Sequence, residues 1–274
     1  MIKSDASIED VQKKIFEVML YVDRVCREHN IVYFLSGGTL LGAIRHNGFI
    51  PWDDDADIML PRSEYDKLLK VLKDNPDDRF RFGSVETDKD WTRPWARVWD
   101  STTLVEFDSI KDSAIGVYVD ILPIDGVPTN RLLFKLHNYR IKFLNVLRNA
   151  SMRESFLEGE KNKTLKKFLG KFTAKKGPYY YACKVNKVAE KMYYDTHAYS
   201  GVAVLSHYMD KERFETVWFS GTTEKDFCGH DFLIPEGYDN YLRQLYGDYM
   251  KLPPADKQKS DHVFRLIMDI KEQD

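Results

Sequence analysis

The segment from Ser36 to Met59 constrains the fold of this 274-residue chain more than any other part of the sequence. A short apolar run from Ile31 to Leu35 predicts a strand that ends at Ser36-Gly37-Gly38. The next residues, LLGAIRH, predict a helix, and the alternation from Asp55 to Leu60 predicts a second strand. Strands that alternate with helices in this way indicate an α/β core with a mixed sheet.

Hydrophobic spacing predicts further elements on both sides of this segment. Residues 8 to 26 have the period of an amphipathic helix with Ser7 as its N-cap, and Ser63 is the predicted cap of a helix from Glu64 to Leu72. The other predicted helices are Asn130 to Arg148, Leu165 to Ala174, and Tyr238 to Tyr246, the last ended by Gly247. The other predicted strands are Arg79 to Val85, Ala96 to Trp99, Thr103 to Phe107, Val117 to Leu122 and Phe214 to Phe219.

The Gly37-Gly38 turn is typical of a phosphate site. Without side chains, its backbone N–H groups can approach an anion closely, and the helix that starts at about Thr39 directs its positive end to the same place. The alternative is that the two glycines only allow tight packing between the strand and the helix. The pattern alone leaves both interpretations open.

A pair of carboxylates follows in Asp55-Ala56-Asp57, at the head of an apolar strand. Side chains at i and i+2 of a strand share a face, with Cα atoms ~6.6 Å apart. Two carboxylates ~4 Å apart would repel each other by about 4 kcal/mol at an effective dielectric constant of ~20, so the pair favours a bound cation. Oxygen ligands with no nearby His or Cys favour Mg²⁺ or Mn²⁺. The alternative is a solvated acidic turn formed by residues 53 to 57.

One more carboxylate, Asp120, interrupts the strand Val117 to Leu122. A buried Asp is costly unless a charge or a metal compensates it, so Asp120 is predicted to complete a three-carboxylate cluster if its strand neighbours that of Asp55 and Asp57. The alternative is an Asp at the exposed end of the strand. Asp125, in IDGVP, is assigned to turn formation.

These motifs together resemble a known family. Gly-Gly, a D-x-D strand and one Asp on a later strand are the active-site pattern of the nucleotidyltransferase superfamily. The chain resembles the LicD family of phosphocholine transferases, which is related to fukutin and fukutin-related protein, in the string GGTLLGAIRHNGFIPWDDDADI. VDILPIDG and PEGYDNYLRQLYGDYMKLPP are similar to two further motifs of that family. The resemblance covers residues 37 to 254 and implies a nucleotidyltransferase-like α/β (α+β) fold, in which helices flank a mixed sheet.

The resemblance also implies roles for individual residues. Asp55, Asp57 and Asp120 would be catalytic and would hold one or two Mg²⁺ (or Mn²⁺) ions, with Asp120 as the candidate proton acceptor. The residues that the resemblance implies as contacts of the nucleotide-activated donor are Ser36, Gly37, Gly38, Thr39, Arg45 and Arg97. Tyr246, Lys259 and His262 are expected as single residues to line the same donor site. Similar proteins often read A-K-x-R where this chain has Ala96-Arg97-Val98-Trp99, so one basic residue is missing here.

The implied reaction is metal-dependent transfer of phosphocholine from CDP-choline to a hydroxyl of a cell-surface glycan precursor, with release of CMP. The expected acceptor is a lipid-linked glycan of the teichoic acid, capsule or lipopolysaccharide type. Two alternatives stay open: a nucleotidyltransferase that moves NMP to a hydroxyl, and a non-catalytic protein that binds nucleotide or glycan. Aromatic faces bind quaternary ammonium groups, so the aromatic residues Trp91, Trp95 and Trp99, with Trp52, Tyr246 and Tyr249, are either a choline cage or ordinary core residues.

Composition narrows the class of protein. Mean hydropathy is −0.47 and no apolar run approaches the ~18 residues of a membrane span. The N-terminus lacks the apolar stretch of a secretory signal, and the three cysteines have neither zinc-ribbon nor disulfide-scaffold spacing. We therefore expect a cytoplasmic protein.

Charge is distributed unevenly along the chain. Residues 126 to 187 contain fifteen Lys and Arg and only three Glu, a formal charge of +12 in a chain whose total is −2. We predict a catalytic core over 1–125, a helical basic insert over 126–200, and a C-terminal part over 201–274 that completes the donor site. The insert is either a solvated surface or a peripheral contact with an anionic membrane at the inner face. The apolar residues expected to insert shallowly are Phe134, Phe143, Phe168, Leu169 and Phe172. No nucleic-acid motif accompanies the lysines, so nucleic acid is not an expected partner.

Overall fold

A computed structural model of the chain describes residues 7–107, 115–153, 170–205, 208–259 and 264–267. The helices whose bounds it gives are α1 (Ile8–Glu28), α2 (Gly37–His46), α3 (Arg62–Asp74), α4 (Arg131–Met152), α5 (Gly177–Ala189) and α6 (Tyr238–Tyr246). The strands are β1 (Phe34–Leu35), β2 (Asp57–Pro61), β3 (Phe80–Gly83), β4 (Ala96–Asp100), β5 (Leu104–Phe107), β6 (Tyr118–Gly126), β7 (Tyr199–Gly201), β8 (Phe214–Glu215), β9 (Thr222–Phe227), β10 (His230–Pro235) and β11 (Phe264–Ile267). The predicted α/β fold is confirmed.

The main sheet is mixed. Its strands follow the order β1-β2-β6-β4-β3, and β7 and β8 extend it from the end of β6. β2 and β6 run parallel, whereas the other neighbours run antiparallel. β9 and β10 form a separate hairpin, and β5 pairs with β11. β6 therefore lies between β2 and β4, in the middle of the sheet.

The strand register aligns three of the predicted site residues. Asp57 of β2 lies opposite Asp120 of β6, and Asp120 lies opposite Arg97 of β4. Side chains of directly paired residues point to the same face of a sheet. Asp57, Asp120 and Arg97 therefore form one row across three strands, on one face.

The first helix shows how the sequence positions this sheet. Ser7 caps α1 in a capping box, because its hydroxyl accepts from the Asp10 backbone N–H while the Asp10 carboxylate accepts from the Ser7 backbone N–H. The apolar positions of α1 repeat at helical spacing, and those side chains are buried against the sheet at β4 and β6. α3 packs against β2 and β6.

Several elements differ from the prediction. Ser63 is not a cap, since α3 begins at Arg62 after Pro61 and the Ser63 side chain is exposed. The predicted strand from Phe214 to Phe219 is a strand only in its first two residues and continues as a 3₁₀ helix. Helix α5 and the β9–β10 hairpin were not predicted. The predicted helix from Leu165 to Ala174 lies in its first five residues outside the described part.

The assignment of Asp125 to turn formation is wrong. Asp125 is fully buried at the end of β6, and the Arg62 guanidinium donates two hydrogen bonds to its carboxylate, at 2.8 and 2.7 Å. A bidentate pair of this kind compensates a buried charge. Arg62 also donates to the side-chain oxygen of Asn186 on α5, so this pair joins the core to the helical segment.

Helices α4 and α5 pack extensively against each other. Among the described residues, no helix combines the length and the apolar character needed to cross a bilayer. The division into three parts, 1–125, 126–200 and 201–274, stays a prediction.

Candidate active site

A cavity of about 420 Å³ opens beside the start of α2 and the head of β2. It is lined by residues from distant parts of the chain, which fall into four kinds. These are the α2 start (Ser36, Gly37, Gly38), an acidic group (Asp53, Asp55, Asp57), two lysines (Lys257, Lys259), and a mainly aromatic group (Trp52, Val202, Leu205, Tyr208, Glu212, Phe214, Tyr241, Leu245, Tyr246).

Asp57 is a strongly perturbed carboxylate of the acidic group. Burial raises its pKa well above the usual value, and the nearby charges of Asp55, Asp120 and Asp53 raise it further, whereas Arg97 lowers it. Like charges that cannot all ionise at low cost raise one another's pKa. The negative charge gathered around Asp57 therefore favours a cation at this place.

Asp120 is compensated differently. The Arg97 guanidinium forms an ion pair with both carboxylate oxygens, with Nε at 2.5 Å and Nη2 at 3.2 Å, and the Trp95 indole N–H donates to Oδ1 at 2.8 Å. Both members of the ion pair are buried. Asp120 is not part of the cavity lining, although its charge reaches Asp57.

The chemistry of the acidic group fits a divalent cation, because it offers oxygen donors only and several negative charges. The arrangement of the side chains fits less well. Among the described residues, no group of three or more His, Cys, Asp or Glu side chains is arranged to hold a metal ion. In this arrangement the Asp120 carboxylate is held by Arg97 instead.

The start of α2 is shaped by its contacts. Gly37 has φ +49°, a left-handed conformation that favours glycine, and its N–H donates to the Tyr241 hydroxyl at 3.1 Å. A Cβ on Gly38 would lie 2.9 Å from an Asp53 carboxylate oxygen. Ser36 is the N-cap residue but makes no side-chain capping bond, and its hydroxyl lies 3.3 Å from that of Tyr241.

The aromatic group meets the acidic group at Gly37. A Cβ on Gly37 would lie 3.6 Å from both an Asp57 carboxylate oxygen and the Tyr246 hydroxyl. The Tyr246 ring packs edge-on to Tyr208, with centroids 5.9 Å apart. Burial, and then the neighbouring Tyr208, Tyr241 and Asp57, raise the pKa of Tyr246 well above its usual value, so its hydroxyl stays protonated.

Glu212 is a buried carboxyl in the cavity lining, only 6% exposed. Burial raises its pKa to about 8, and a hydrogen bond from the Tyr208 backbone lowers it. No cationic side chain of the described residues contributes to this pKa. The charge of Glu212 in turn raises the pKa values of Tyr208 and Tyr241, which places its carboxyl near both phenols.

Comparison with known proteins assigns the family. The family described as LicD/FKTN/FKRP, nucleotidyltransferase domain, matches residues 30–145. The lipopolysaccharide cholinephosphotransferase LicD of Haemophilus influenzae is 31% identical, over 94% of this chain and 96% of its own length. The chain belongs to the LicD family. The predicted membership of this family of phosphocholine transferases is therefore confirmed.

Two further relatives of this LicD-family chain are uncharacterized proteins. One, from Rickettsia prowazekii, is 38% identical over 21% of this chain and 22% of its own length. The other, from Rickettsia typhi, is 29% identical over 48% of this chain and 40% of its own length.

The cavity of the LicD-family chain gathers many of the predicted site residues. Those in its lining are Ser36, Gly37, Gly38, Asp55, Asp57, Tyr246 and Lys259. Thr39 lies behind it, where its hydroxyl accepts a hydrogen bond from the Asp57 backbone N–H at 2.8 Å and so fixes the head of β2. His262 lies outside the described residues.

The structure places other predicted residues away from the cavity lining. The Arg45 guanidinium donates to the Tyr249 carbonyl at 2.8 Å and to His46 at 2.9 Å, and Arg97 is paired with Asp120. Trp91 is buried, and its ring stacks on that of Trp99 with centroids 6.1 Å apart. The three tryptophans therefore do not form a cage in this cavity.

Sequence reasoning missed Tyr208, Glu212, Tyr241 and Lys257 as lining residues. Tyr241 could have been found, because it lies on the same helix as Tyr246 in the C-terminal motif. The sequence does not predict that Glu212 is buried, since it lies in the charged run MDKERFE, which is typical of a solvated surface.

Proposed function

We propose that this LicD-family protein transfers phosphocholine from CDP-choline to a hydroxyl of a lipopolysaccharide-type glycan precursor and releases CMP. The observation that carries the proposal is the cavity, in which the start of α2, the acidic group and an aromatic group with a buried carboxyl converge. The name of the full-length relative from Haemophilus influenzae supports the same chemistry. Acceptors of the teichoic acid or capsule type are finer variants of this proposal.

The donor phosphates would lie at the start of α2. A helix N-terminus offers backbone N–H groups and a positive dipole to an anion. Gly37 and Gly38 bring this end of α2 into the cavity lining without side chains, and Lys257 and Lys259 add positive charge to the same lining. Arg45 and His262 stay predicted donor contacts.

A divalent cation, Mg²⁺ or Mn²⁺, would be held by Asp55 and Asp57, with Asp120 as the predicted third carboxylate. It would supply positive charge to the phosphate oxygens and would make the acceptor hydroxyl more acidic. The support for it is the repulsion within the acidic group, which raises the pKa of Asp57.

The side chains of Arg97 and Asp120 would assist the transfer itself. Arg97 holds Asp120 in place and offsets part of the negative charge at Asp57. Asp120 is the proposed acceptor of the proton from the attacking hydroxyl. The oxygen of that hydroxyl would form a bond to the phosphorus that carries choline, while the bond from this phosphorus to the CMP oxygen breaks.

The choline group would lie against the aromatic group. A quaternary ammonium has no N–H to donate, so it is bound by aromatic faces and by a nearby negative charge. Tyr208, Tyr241 and Tyr246 supply the faces, and Glu212 supplies a carboxylate with no cationic partner among the described residues. Glu212 is therefore the proposed counter-ion of choline.

Product analysis tests the proposal. The protein is incubated with Mg²⁺, an extracted glycan acceptor, and either CDP-choline labelled in its methyl groups or CTP. We expect CMP and labelled glycan from CDP-choline. Pyrophosphate and nucleotide-labelled glycan from CTP would instead establish a nucleotidyltransferase. Binding of CDP-choline without either product would establish a non-catalytic binding protein.

A further inference from the structure

The outer face of α4 is unusual for a helix at a protein surface. Its inner side buries Phe134, Ile141 and Met152 together with polar residues. The outer side exposes an apolar stripe, which we define as Leu132, Leu136, Tyr139, Phe143 and Val146. The exposed fractions of these five side chains run from 46 to 67%.

The stripe is continuous. Its members are spaced by four, three, four and three residues, so at 3.6 residues per turn they share an arc of about 80°. From first to last they extend along about 21 Å of the helix. Isolated exposed apolar residues are ordinary, but a contiguous patch of this length marks an interaction surface.

Positive charge flanks the stripe on both sides. Lys135 and Lys142 lie on one side of it and Arg140 on the other, all exposed, and α4 contains no Asp or Glu. Lys135 makes one exposed ion pair, with Asp210 at 3.6 Å. Near the end of α4, where Gly170 approaches the Ala150 carbonyl, Lys171 and Phe172 are also exposed.

We propose that the outer face of α4 binds the surface of an anionic lipid bilayer, with the stripe inserted at the headgroup boundary. Apolar residues flanked by Lys and Arg are the pattern of a helix that lies in the membrane plane. Each basic residue near an anionic surface contributes ~1 kcal/mol. A second copy of the chain fits this face poorly, because a symmetric contact would bring two cationic surfaces together.

The same helix leads from this face to the cavity region. Arg148, on the inner side of α4, lies over the Trp95 ring at 5.5 Å from its centroid, and the Trp95 indole N–H donates to Asp120. Two contacts therefore connect Asp120 to the helix that would lie on the membrane, an arrangement that would suit the lipid-linked acceptor of the proposed function. The inference does not depend on the proposed donor. It corrects one expectation, since Phe134 is buried and cannot insert; Phe168 and Leu169 lie outside the described residues.

The test is co-sedimentation of the full-length protein with vesicles of phosphatidylcholine alone or with 30% phosphatidylglycerol (the probe lipids) at 50 mM NaCl. The variants are Leu136→Ser with Phe143→Ser, and Arg140→Glu with Lys142→Glu. Met250→Ser with Leu252→Ser, two exposed apolar residues elsewhere, is the matched control. Circular dichroism verifies that each variant is folded.

We expect binding to the anionic vesicles, weakened at least about tenfold in both α4 variants and unchanged in the control. Binding should also fall with added salt. The proposal is overturned if the wild type stays in the supernatant at 50 mM NaCl, or if the α4 variants bind as well as it does. A wild-type dimer that Leu136→Ser with Phe143→Ser dissociates, without vesicle binding, would instead make this face a homodimer interface.

Discussion

Two carboxyls line the same cavity, the half-buried Asp57 and the buried Glu212, and their pKa values are raised for different reasons. Burial and three neighbouring carboxylates raise the pKa of Asp57, and Arg97 lowers it in part. Burial raises the pKa of Glu212, and no neighbouring carboxylate is among the causes. A cluster of several negative charges demands a cation of high charge, whereas one carboxylate among aromatic rings is suited to a single, weakly hydrated positive charge. Under the proposed function, this difference would place the metal and the choline in different parts of one cavity.

The largest expected effect comes from Asp57→Asn. Removing this charge removes one of the proposed cation ligands, so phosphocholine transfer should fall by about 10³-fold or more. Mn²⁺ binding, measured by electron paramagnetic resonance, should weaken in parallel. The free energy of unfolding should not fall, because the variant relieves repulsion inside the acidic group.

Asp54→Asn is the matched control for Asp57→Asn, because Asp54 belongs to the same acidic run but does not line the cavity. It should keep both activity and Mn²⁺ affinity. If Asp57→Asn turns over at near the wild-type rate, Asp57 is not a ligand, and the proposed division of the cavity fails at its acidic part.

The second prediction concerns the ion pair with Arg97, which distinguishes Asp120 from Glu212. Arg97→Met leaves a buried carboxylate without its ion-pair partner, which should lower the free energy of unfolding by about 3 kcal/mol in urea titrations. The double variant Arg97→Met with Asp120→Asn should recover most of that loss. Arg81→Met, at an exposed position of β3, serves as the control and should change stability little.

The acidic part of the cavity could be predicted from local sequence to a larger extent than the aromatic part. The bounds of α6 and the capping of α1 follow from short-range rules, since a Gly after a periodic run and a Ser before one are local signals. The D-x-D strand and the interrupted β6 likewise signalled a row of carboxylates, because a buried Asp in an apolar strand is costly.

The aromatic part could not be predicted in the same way. Its residues converge through contacts over long sequence distances, such as Ser36 with Tyr241. Glu212 has no periodic apolar frame around it, so only the tertiary structure reveals that it is buried. The tryptophans had a regular spacing, but Trp91 and Trp99 stack on each other and Trp95 contacts Asp120. Spacing alone did not distinguish core packing from a ligand cage.

The third prediction concerns Glu212→Gln, which keeps the shape of the side chain and removes its charge. In calorimetric titrations, the wild type should bind CDP-choline about tenfold more tightly than the CDP ester of 3,3-dimethylbutanol, a neutral isostere of choline, a difference of about 1.4 kcal/mol. Glu212→Gln should lose this preference. Glu215→Gln, three residues further on and exposed, should retain it.

The outcomes of this titration separate two failures. If neither donor analogue binds to the wild type, the proposed CDP-choline function itself is wrong. If both analogues bind the wild type equally well, or if Glu212→Gln keeps the preference, the donor assignment survives and only the role of Glu212 is rejected. Because the first comparison uses the wild type alone, it holds even if Glu212→Gln does not fold.

The smallest effect is a proton released on binding. In the free protein the pKa of Glu212 is raised to about 8, so at pH 7 the carboxyl is mostly protonated. A bound quaternary ammonium favours the ionised form, and CDP-choline binding at pH 7 should therefore release up to ~1 proton, measured by titration in buffers of different ionisation enthalpy. The affinity ratio of CDP-choline to its neutral isostere should rise several-fold from pH 6 to about 8 and then level off.

The affinity ratio of CDP-choline to its neutral isostere is insensitive to the other charged groups of the cavity. Asp57 and the two lysines of the cavity lining face both analogues equally, and Tyr208 and Tyr241 have pKa values raised above 10, so they stay neutral. For the stability of the free protein, the pH dependence has the opposite direction to that of choline binding. Since folding raises the pKa of Glu212, its contribution to stability is full below about pH 4.5 and is lost as the pH rises through about 8. Glu212→Gln should therefore lose less stability between pH 5 and 8.5 than the wild type; equal losses would mean that Glu212 is ionised in the folded protein at neutral pH and needs no choline to become so.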